Sequence, residues 1–177
     1  MTKLLLIDDE PVIQHAFRKA FHPPEYDTIT CRTAAEGLIR LEADRPDVIV
    51  LDVHLPDADG LAAFDRIKSV DARTPVILIT GHGTTELAIE AMKRGAFDYL
   101  LKPVRYEKLR ELVARANESS RLMNVPALLS DHQAVPDSAD ALVGQCPAMQ
   151  EVYKQVGRVA GTDATVLILE KVARARN

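Results

Sequence analysis

Four short apolar runs in this sequence are each followed directly by residues that carry a charge or a hydroxyl. The runs are 4–7, 48–51, 76–79 and 99–101, and the residues that follow them are Asp8 with Asp9, Asp52, Thr80 and Lys102. In parallel α/β sheets, functional groups collect beyond the carboxyl ends of the strands. If the four runs are neighbouring strands, three carboxylates, one hydroxyl and one ammonium group meet in one small pocket.

This combination of groups is typical of metal-assisted chemistry on phosphate. Three neighbouring carboxylates repel one another and stay ionised only if a cation compensates them. All-oxygen ligation favours Mg²⁺, which typically takes one or two carboxylates together with substrate phosphate, and Asp9 and Asp52 are the direct candidates. With the metal and Lys102 neutralising phosphoryl oxygens, a carboxylate can attack phosphorus, and Thr80 can donate a hydrogen bond to the same group.

Each of these residues also has an ordinary explanation on its own. The aspartates could cap helices, Lys102 could be a solvated lysine, and Thr80 could be a satisfied loop hydroxyl. The acidic pair ahead of Pro11, for example, could serve only to cap the helix that follows. The joint occurrence of the residues at four successive strand ends nevertheless favours a site. His54 and His82 each follow a site candidate by two positions, and two interpretations of them stay open. They could be surface residues without a role, or groups at the mouth of the pocket that affect the lifetime of the phosphoryl group.

The segments between the apolar runs have a helical period, and residues 28–31 form a weaker fifth strand candidate. Helices are expected behind Pro11, behind the capping box at 33–36, around 61–67, over about 84–94, and from about 105 past 122. Strands and helices therefore alternate five times. This alternation predicts a doubly wound α/β fold, a five-stranded parallel sheet in the flavodoxin-like order 2-1-3-4-5.

Composition excludes several classes of function. The 177 residues are 47% apolar and 27% charged, which fits one globular domain with a shorter appendage. The net charge of −4 argues against a nucleic-acid surface, so no direct nucleic-acid partner is expected. Cys31 and Cys146 indicate neither a zinc site nor a disulfide framework. Because the N-terminal apolar run is too short for a membrane span or a secretion signal, we expect a cytoplasmic chain with no membrane partner.

The composition changes after Met123. Proline, serine and aspartate interrupt any period, which predicts a linker over 124–142. One amphipathic helix and one strand pattern follow it, and these cannot enclose a core. The expected organisation is therefore a domain over 1–123, the linker, and a fragment over 143–177.

Four stretches of the first domain resemble the response-regulator receiver domain of two-component signalling: LLLIDDEP, DVIVLDVHLPDADG, PVILITGHG and AFDYLLKP. The resemblance covers residues 2 to about 123. It implies that Asp52 is the phosphoacceptor and that Asp8 and Asp9 form an acidic pocket that holds Mg²⁺ together with Asp52. The backbone carbonyl of His54 would supply a further metal ligand.

The resemblance also implies roles for other residues and a partner. Thr80 and Lys102 would contact the phosphoryl group, and Thr80 and Tyr99 would act as the switch that alters the face formed by the fourth helix, fifth strand and fifth helix. A histidine kinase would be the phosphodonor. The fifth helix could pair with its copy in a homodimer through the stripe Leu109, Leu112, Ala116 and Met123, although Leu109 and Leu112 are expected to pack on the sheet.

The tail ALVGQCPAMQEVYKQVGRVAGTDATVLIL resembles the opening of the AAA+ domain of sigma-54-dependent activators of the nitrogen-regulation type. In that family a strand leads into a GxxxxGK[ST] phosphate-binding loop. Here Glu170-Lys171-Val172 follows the strand pattern instead. We therefore expect a truncated AAA+ fragment with no ATPase activity.

The leading hypothesis is a response regulator that catalyses its own phosphorylation on Asp52, loses the group slowly and is not a turnover enzyme. The alternative is an interaction remnant that sequesters a kinase or an intact activator. A phosphatase with an aspartate nucleophile is disfavoured, because its second acid would have to occupy the position of His54.

Overall fold

The strands and helices alternate along the chain as the sequence pattern predicts. In the computed structural model, which describes residues 1–81 and 84–123, the strands are β1 (Thr2–Ile7), β2 (Tyr26–Cys31), β3 (Val48–Asp52), β4 (Val76–Thr80) and β5 (Asp98–Leu101). The helices are α1 (Pro11–Ala20), α2 (Ala34–Asp44), α3 (Gly60–Val70), α4 (Thr85–Lys93) and α5 (Tyr106–Met123). Every pair of adjacent strands is parallel, and the order is β2-β1-β3-β4-β5. The expected fold class is confirmed.

The central strands are apolar over most of their length because helices cover both faces of the sheet. Alternate residues enter two separate cores. Leu5, Ile49 and Leu78 pack with apolar side chains of α2, α3 and α4. Leu4, Val50 and Ile77 pack with those of α1 and α5 on the other face. Burial of a side chain of this size stabilises the fold by about 1.5–3 kcal/mol, so the two cores hold the strand ends in place.

The helix boundaries follow local signals in the sequence. Pro11 opens α1, where its missing amide hydrogen costs nothing. Thr33 caps α2, since its hydroxyl accepts a hydrogen bond from the amide of Glu36 at 3.1 Å. At the end of α4, Gly95 adopts a φ of 87°, a conformation that glycine tolerates best.

The predicted dimer stripe on α5 lies mostly inside the protein. Leu109, Leu112 and Ala116 are buried in the core that α5 shares with α1. Burial of Leu109 and Leu112 was expected. The prediction that Ala116 is available for pairing is wrong, because the sheet-facing side of α5 extends one turn further along the helix. The side chain of Met123 and the predicted linker and tail at 124–177 lie outside the described residues.

None of the helices that the structure describes is long and apolar enough to cross a bilayer.

The strand register brings the chemistry-bearing residues to one edge of the sheet. Ile7 pairs with Leu51, so Asp8 and Asp52 follow at the same level on adjacent strands. Thr80 pairs with Leu101, the residue before Lys102. The carboxyl ends of β1, β3, β4 and β5 therefore lie at one edge of the sheet, as the sequence predicts.

Candidate functional site

The ammonium group of Lys102 lies among three carboxylates. Its Nζ is 2.6 Å from Oδ2 of Asp52, 2.6 Å from Oε1 of Glu10 and 3.0 Å from Oδ2 of Asp8. Burial alone would lower the pKa of Lys102, but the contacts with Asp52, Glu10 and Asp8 outweigh it and raise that pKa above its usual value. Lys102 is therefore charged at any physiological pH, and the cluster still has more negative than positive groups.

The carboxylates of Asp8, Glu10 and Asp52 form a group that fits a divalent cation. One oxygen from each lies within 4.8 Å of the others. Asp8 is 0% exposed, and its Oδ2 has no hydrogen-bond partner among the described residues, since the contact with Lys102 is an ion pair without hydrogen-bond geometry. Burial raises the pKa of Asp8, although the amide of Glu10 donates to its Oδ1 at 2.9 Å. A buried carboxylate oxygen without a hydrogen bond, beside two further carboxylates, is a donor set that suits Mg²⁺.

The third carboxylate of this cluster is Glu10. Asp9 is half-buried and lies outside the group whose oxygens converge. The backbone at Glu10 is extended, with φ −78° and ψ 112°, and alternate side chains of an extended segment share a side. The two-residue spacing from Asp8 to Glu10 could therefore have predicted that their carboxylates share a side, and sequence analysis missed this signal. A role for Asp9 in metal binding stays a prediction.

His54 contacts two of the predicted site residues. Its backbone amide donates to Oδ1 of Asp52 at 3.1 Å, and its ring Nδ1 lies 3.1 Å from the Thr80 hydroxyl. Thr80 is fully buried, whereas the His54 side chain is exposed. The amide of Lys102 donates to the Thr80 carbonyl at 2.8 Å, which ties β4 to the lysine. His82 lies outside the described residues.

Tyr99, the predicted switch residue, points inward. Its side chain is buried in the core beneath α4, and among the described residues nothing hydrogen-bonds to its hydroxyl. Burial raises the pKa of Tyr99 to about 12. Leu78 pairs with Tyr99, and Thr80 follows Leu78 by two positions, so Thr80 and Tyr99 face the same side of the sheet.

Gln14 on α1 fixes the backbone at the end of β1. Its side-chain amide donates to the carbonyl of Asp8 at 2.7 Å and to that of Cys31 at 3.2 Å. Sequence analysis did not single out this glutamine, because a polar residue within a helix ordinarily faces solvent. Its burial lets one side chain hold two strand ends together.

The loop between β3 and α3 is anchored at both ends. Gly60 donates its amide to the Val53 carbonyl at 2.8 Å, and a Cβ at Gly60 would lie 2.2 Å from the Val53 Cα, so only glycine fits. The carboxylate of Asp57 accepts hydrogen bonds from the amides of Ala34 and Ala35 at 2.9 and 3.0 Å. Asp57 therefore caps the first turn of α2 from another segment of the chain, and these bonds hold its pKa below the usual value although burial acts in the opposite direction.

Comparisons with known proteins identify a family. A model of the response regulator receiver domain matches residues 4–114. The response regulator protein PilR of Pseudomonas aeruginosa is 37% identical over 166 residues, which cover 94% of this chain and 35% of PilR. The C4-dicarboxylate transport transcriptional regulatory protein DctD of the same organism is 36% identical over 186 residues, with coverage of 98% and 39%. The chain thus spans little more than a third of the length of these relatives.

Solved structures agree with the sequence comparison. The receiver domain of NtrX from Brucella abortus has a TM-score of 0.61 and 33% identity, and the match covers 65% of this chain and 98% of that domain. A longer NtrX structure from the same organism, in complex with ADP, has a TM-score of 0.65 and 30% identity over 90% of this chain and 34% of that one. This chain therefore belongs to the response-regulator receiver-domain family of two-component signalling.

Proposed function

We propose that this chain is a phosphorylation-dependent switch in which Asp52 accepts a phosphoryl group from a histidine kinase. The observation that carries this proposal is the 2.6 Å contact between Lys102 and the buried carboxylate of Asp52, within a cluster of acids. A purely structural ion pair would not require two further carboxylates at the same ammonium group. The excess negative charge suits a site that gains a cation and a phosphoryl group together.

In the proposed reaction, an oxygen of Asp52 attacks the phosphorus of a phosphohistidine. A P–O bond forms, the P–N bond breaks, and the histidine of the kinase leaves with the electron pair of that bond. Lys102 is already in place to pair with a phosphoryl oxygen, because its Nζ lies beside the attacking carboxylate. Thr80 would donate its hydroxyl proton to another phosphoryl oxygen.

Asp8, Asp52 and Glu10 would hold Mg²⁺, with Asp9 and the backbone carbonyl of His54 as the further ligands that family resemblance implies. Bound there, the ion would neutralise charge that develops on the transferred group.

We further propose that phosphorylation acts through Thr80 and Tyr99 on the face formed by α4, β5 and α5. The buried Tyr99 ring supports this idea, since it lies on the same side of the sheet as Thr80. A homodimer through α5 would have to use residues outside the buried stripe.

For the rest of the chain, we propose a linker over 124–142 and an AAA+ fragment over 143–177 without ATPase activity. By analogy with its relatives, the chain would act in the cytoplasm and affect transcription. Its net charge of −4 favours action through other proteins rather than by direct contact with nucleic acid. It would not turn over substrate as an enzyme.

The test is intact-mass measurement after incubation with Mg²⁺ and a small phosphodonor such as acetyl phosphate. We expect the mass of one phosphoryl group to be gained by the wild type and by Asp27→Asn, which removes a carboxylate on β2 outside the acidic cluster. Asp52→Asn should gain nothing. A wild type that stays unmodified while it binds a histidine kinase would support the interaction remnant instead.

A further inference from the structure

His54 is placed between the two groups that the proposed reaction uses. Its amide is bonded to Oδ1 of Asp52 and its ring nitrogen lies against the hydroxyl of Thr80. The backbone of His54 is also held by a bridge to Asp59. The main chain is thus anchored, and the imidazole is exposed.

The direction of the ring contact depends on the tautomer of His54. A hydroxyl has one proton to donate, and a neutral imidazole has one ring nitrogen that accepts. The tautomer with hydrogen on Nε2 is the commoner one for a neutral imidazole, and it leaves Nδ1 as the acceptor. In this arrangement the Thr80 proton points to His54 across the 3.1 Å contact.

We propose that His54 is a positioning residue whose Nδ1 accepts the Thr80 hydroxyl proton in the unphosphorylated chain and so competes with a phosphoryl oxygen on Asp52 for that proton. This proposal rests on the proposed function, and it concerns the ring of His54 rather than its backbone carbonyl. When the phosphoryl group arrives, the Thr80 proton turns to it, and water can replace Thr80 at the exposed imidazole. The imidazole therefore stabilises the unphosphorylated arrangement.

The size of the effect follows from the value of one hydrogen bond. A net hydrogen bond of ordinary strength corresponds to about a two- to tenfold change in an equilibrium constant. Removal of the His54 ring nitrogen should tighten binding of a phosphoryl group, or of its mimic, by this factor. The replaced residue is exposed, so we expect the variants to fold.

The experiment is a calorimetric titration of the full chain with beryllofluoride, a tetrahedral phosphoryl mimic, in the presence of Mg²⁺. We expect His54→Ala and His54→Phe to bind about two- to tenfold more tightly than the wild type. The phenylalanine keeps the bulk of the ring without its nitrogens. His22→Ala, which removes an exposed imidazole near the opposite edge of the sheet, should leave the affinity unchanged.

A double-mutant cycle separates competition for Thr80 from other effects. In a Thr80→Ala background, His54→Ala should no longer change the affinity. In ¹⁵N NMR spectra of the wild type, the His54 Nδ1 should report an accepted hydrogen bond that is lost when beryllofluoride binds.

Unchanged or weaker binding by both His54 variants would overturn this proposal, as would an equal effect in the Thr80→Ala background. A wild type that fails to bind beryllofluoride, or an Asp52→Asn variant that binds it equally well, would overturn the proposed function and with it the role of His54.

Discussion

The buried charge of Asp8 should lower the free energy of unfolding, although the proposed metal site needs this carboxylate. The side chain is completely buried, its Oδ2 lacks a hydrogen-bond donor among the described residues, and burial raises its pKa. Asp8→Asn keeps the shape and removes the buried charge. We therefore expect the variant to be more stable than the wild type in the absence of divalent cations.

The magnitude follows from the desolvation of Asp8, which its ion pair with Lys102 does not offset. A buried polar group left without a hydrogen bond costs about 1–3 kcal/mol, so the free energy of unfolding should rise by up to this amount. For a domain of this size, each kcal/mol corresponds to a few degrees in Tm. Mg²⁺ at about one hundred times its Kd should add about 2.7 kcal/mol to the wild type but much less to Asp8→Asn, which reverses or erases the difference.

The difference in stability between Asp8→Asn and the wild type should depend on pH with a definite sign. The folded chain binds the Asp8 proton more tightly than the unfolded chain, because the folded pKa lies above the unfolded value of 3.8. The penalty is absent below pH 3.8 and grows as the pH rises through the folded pKa. The advantage of Asp8→Asn over the wild type should therefore be present near pH 7 and vanish in acid.

The assay is urea unfolding, followed by circular dichroism, in a chelator and in Mg²⁺. Asp27→Asn is the control for loss of a carboxylate outside the acidic cluster. Asp9→Asn is a further arm: an unchanged response of its stability to Mg²⁺ would remove Asp9 from the metal site. If Asp8→Asn is less stable than the wild type in the chelator at pH 7, the buried charge is not unfavourable and the reasoning fails.

Two further predictions concern the loop that follows β3. Gly60→Ala places a Cβ 2.2 Å from the Val53 Cα, so we expect a loss of about 1–3 kcal/mol in urea unfolding, and a loss below about 0.5 kcal/mol would contradict the close approach. Asp57→Asn weakens the cap on α2 and should cost about 0.5–2 kcal/mol at pH 7. Because the folded pKa of Asp57 is lowered, its contribution is present above the unfolded value of 3.8 and lost as the pH falls through the folded pKa. Thermal melts of the wild type and of Asp57→Asn at pH 7 and in strong acid measure this contribution. An equal difference in Tm between the two proteins at both pH values would refute the role of the charge.

The sequence by itself determined the topology and most members of the site. Runs buried on both faces are continuous and apolar, and the helices between them carry their own caps, so both signals are local. Parallel strands must then end at a common edge. This reasoning places Asp8, Asp52, Thr80 and Lys102 together. It locates β2 only from Thr28, since an edge strand that begins at Tyr26 is half-polar.

Only the tertiary structure decided which side chains touch. Glu10 joins the carboxylates because the chain stays extended after β1, and Asp57 caps a helix that begins 23 residues earlier. The His54 ring reaches Thr80 across 26 positions of sequence. Such contacts depend on side-chain direction and on the register between distant segments, neither of which a periodic pattern of apolar residues records. The pattern tells which residues lie at an edge, whereas packing determines their partners.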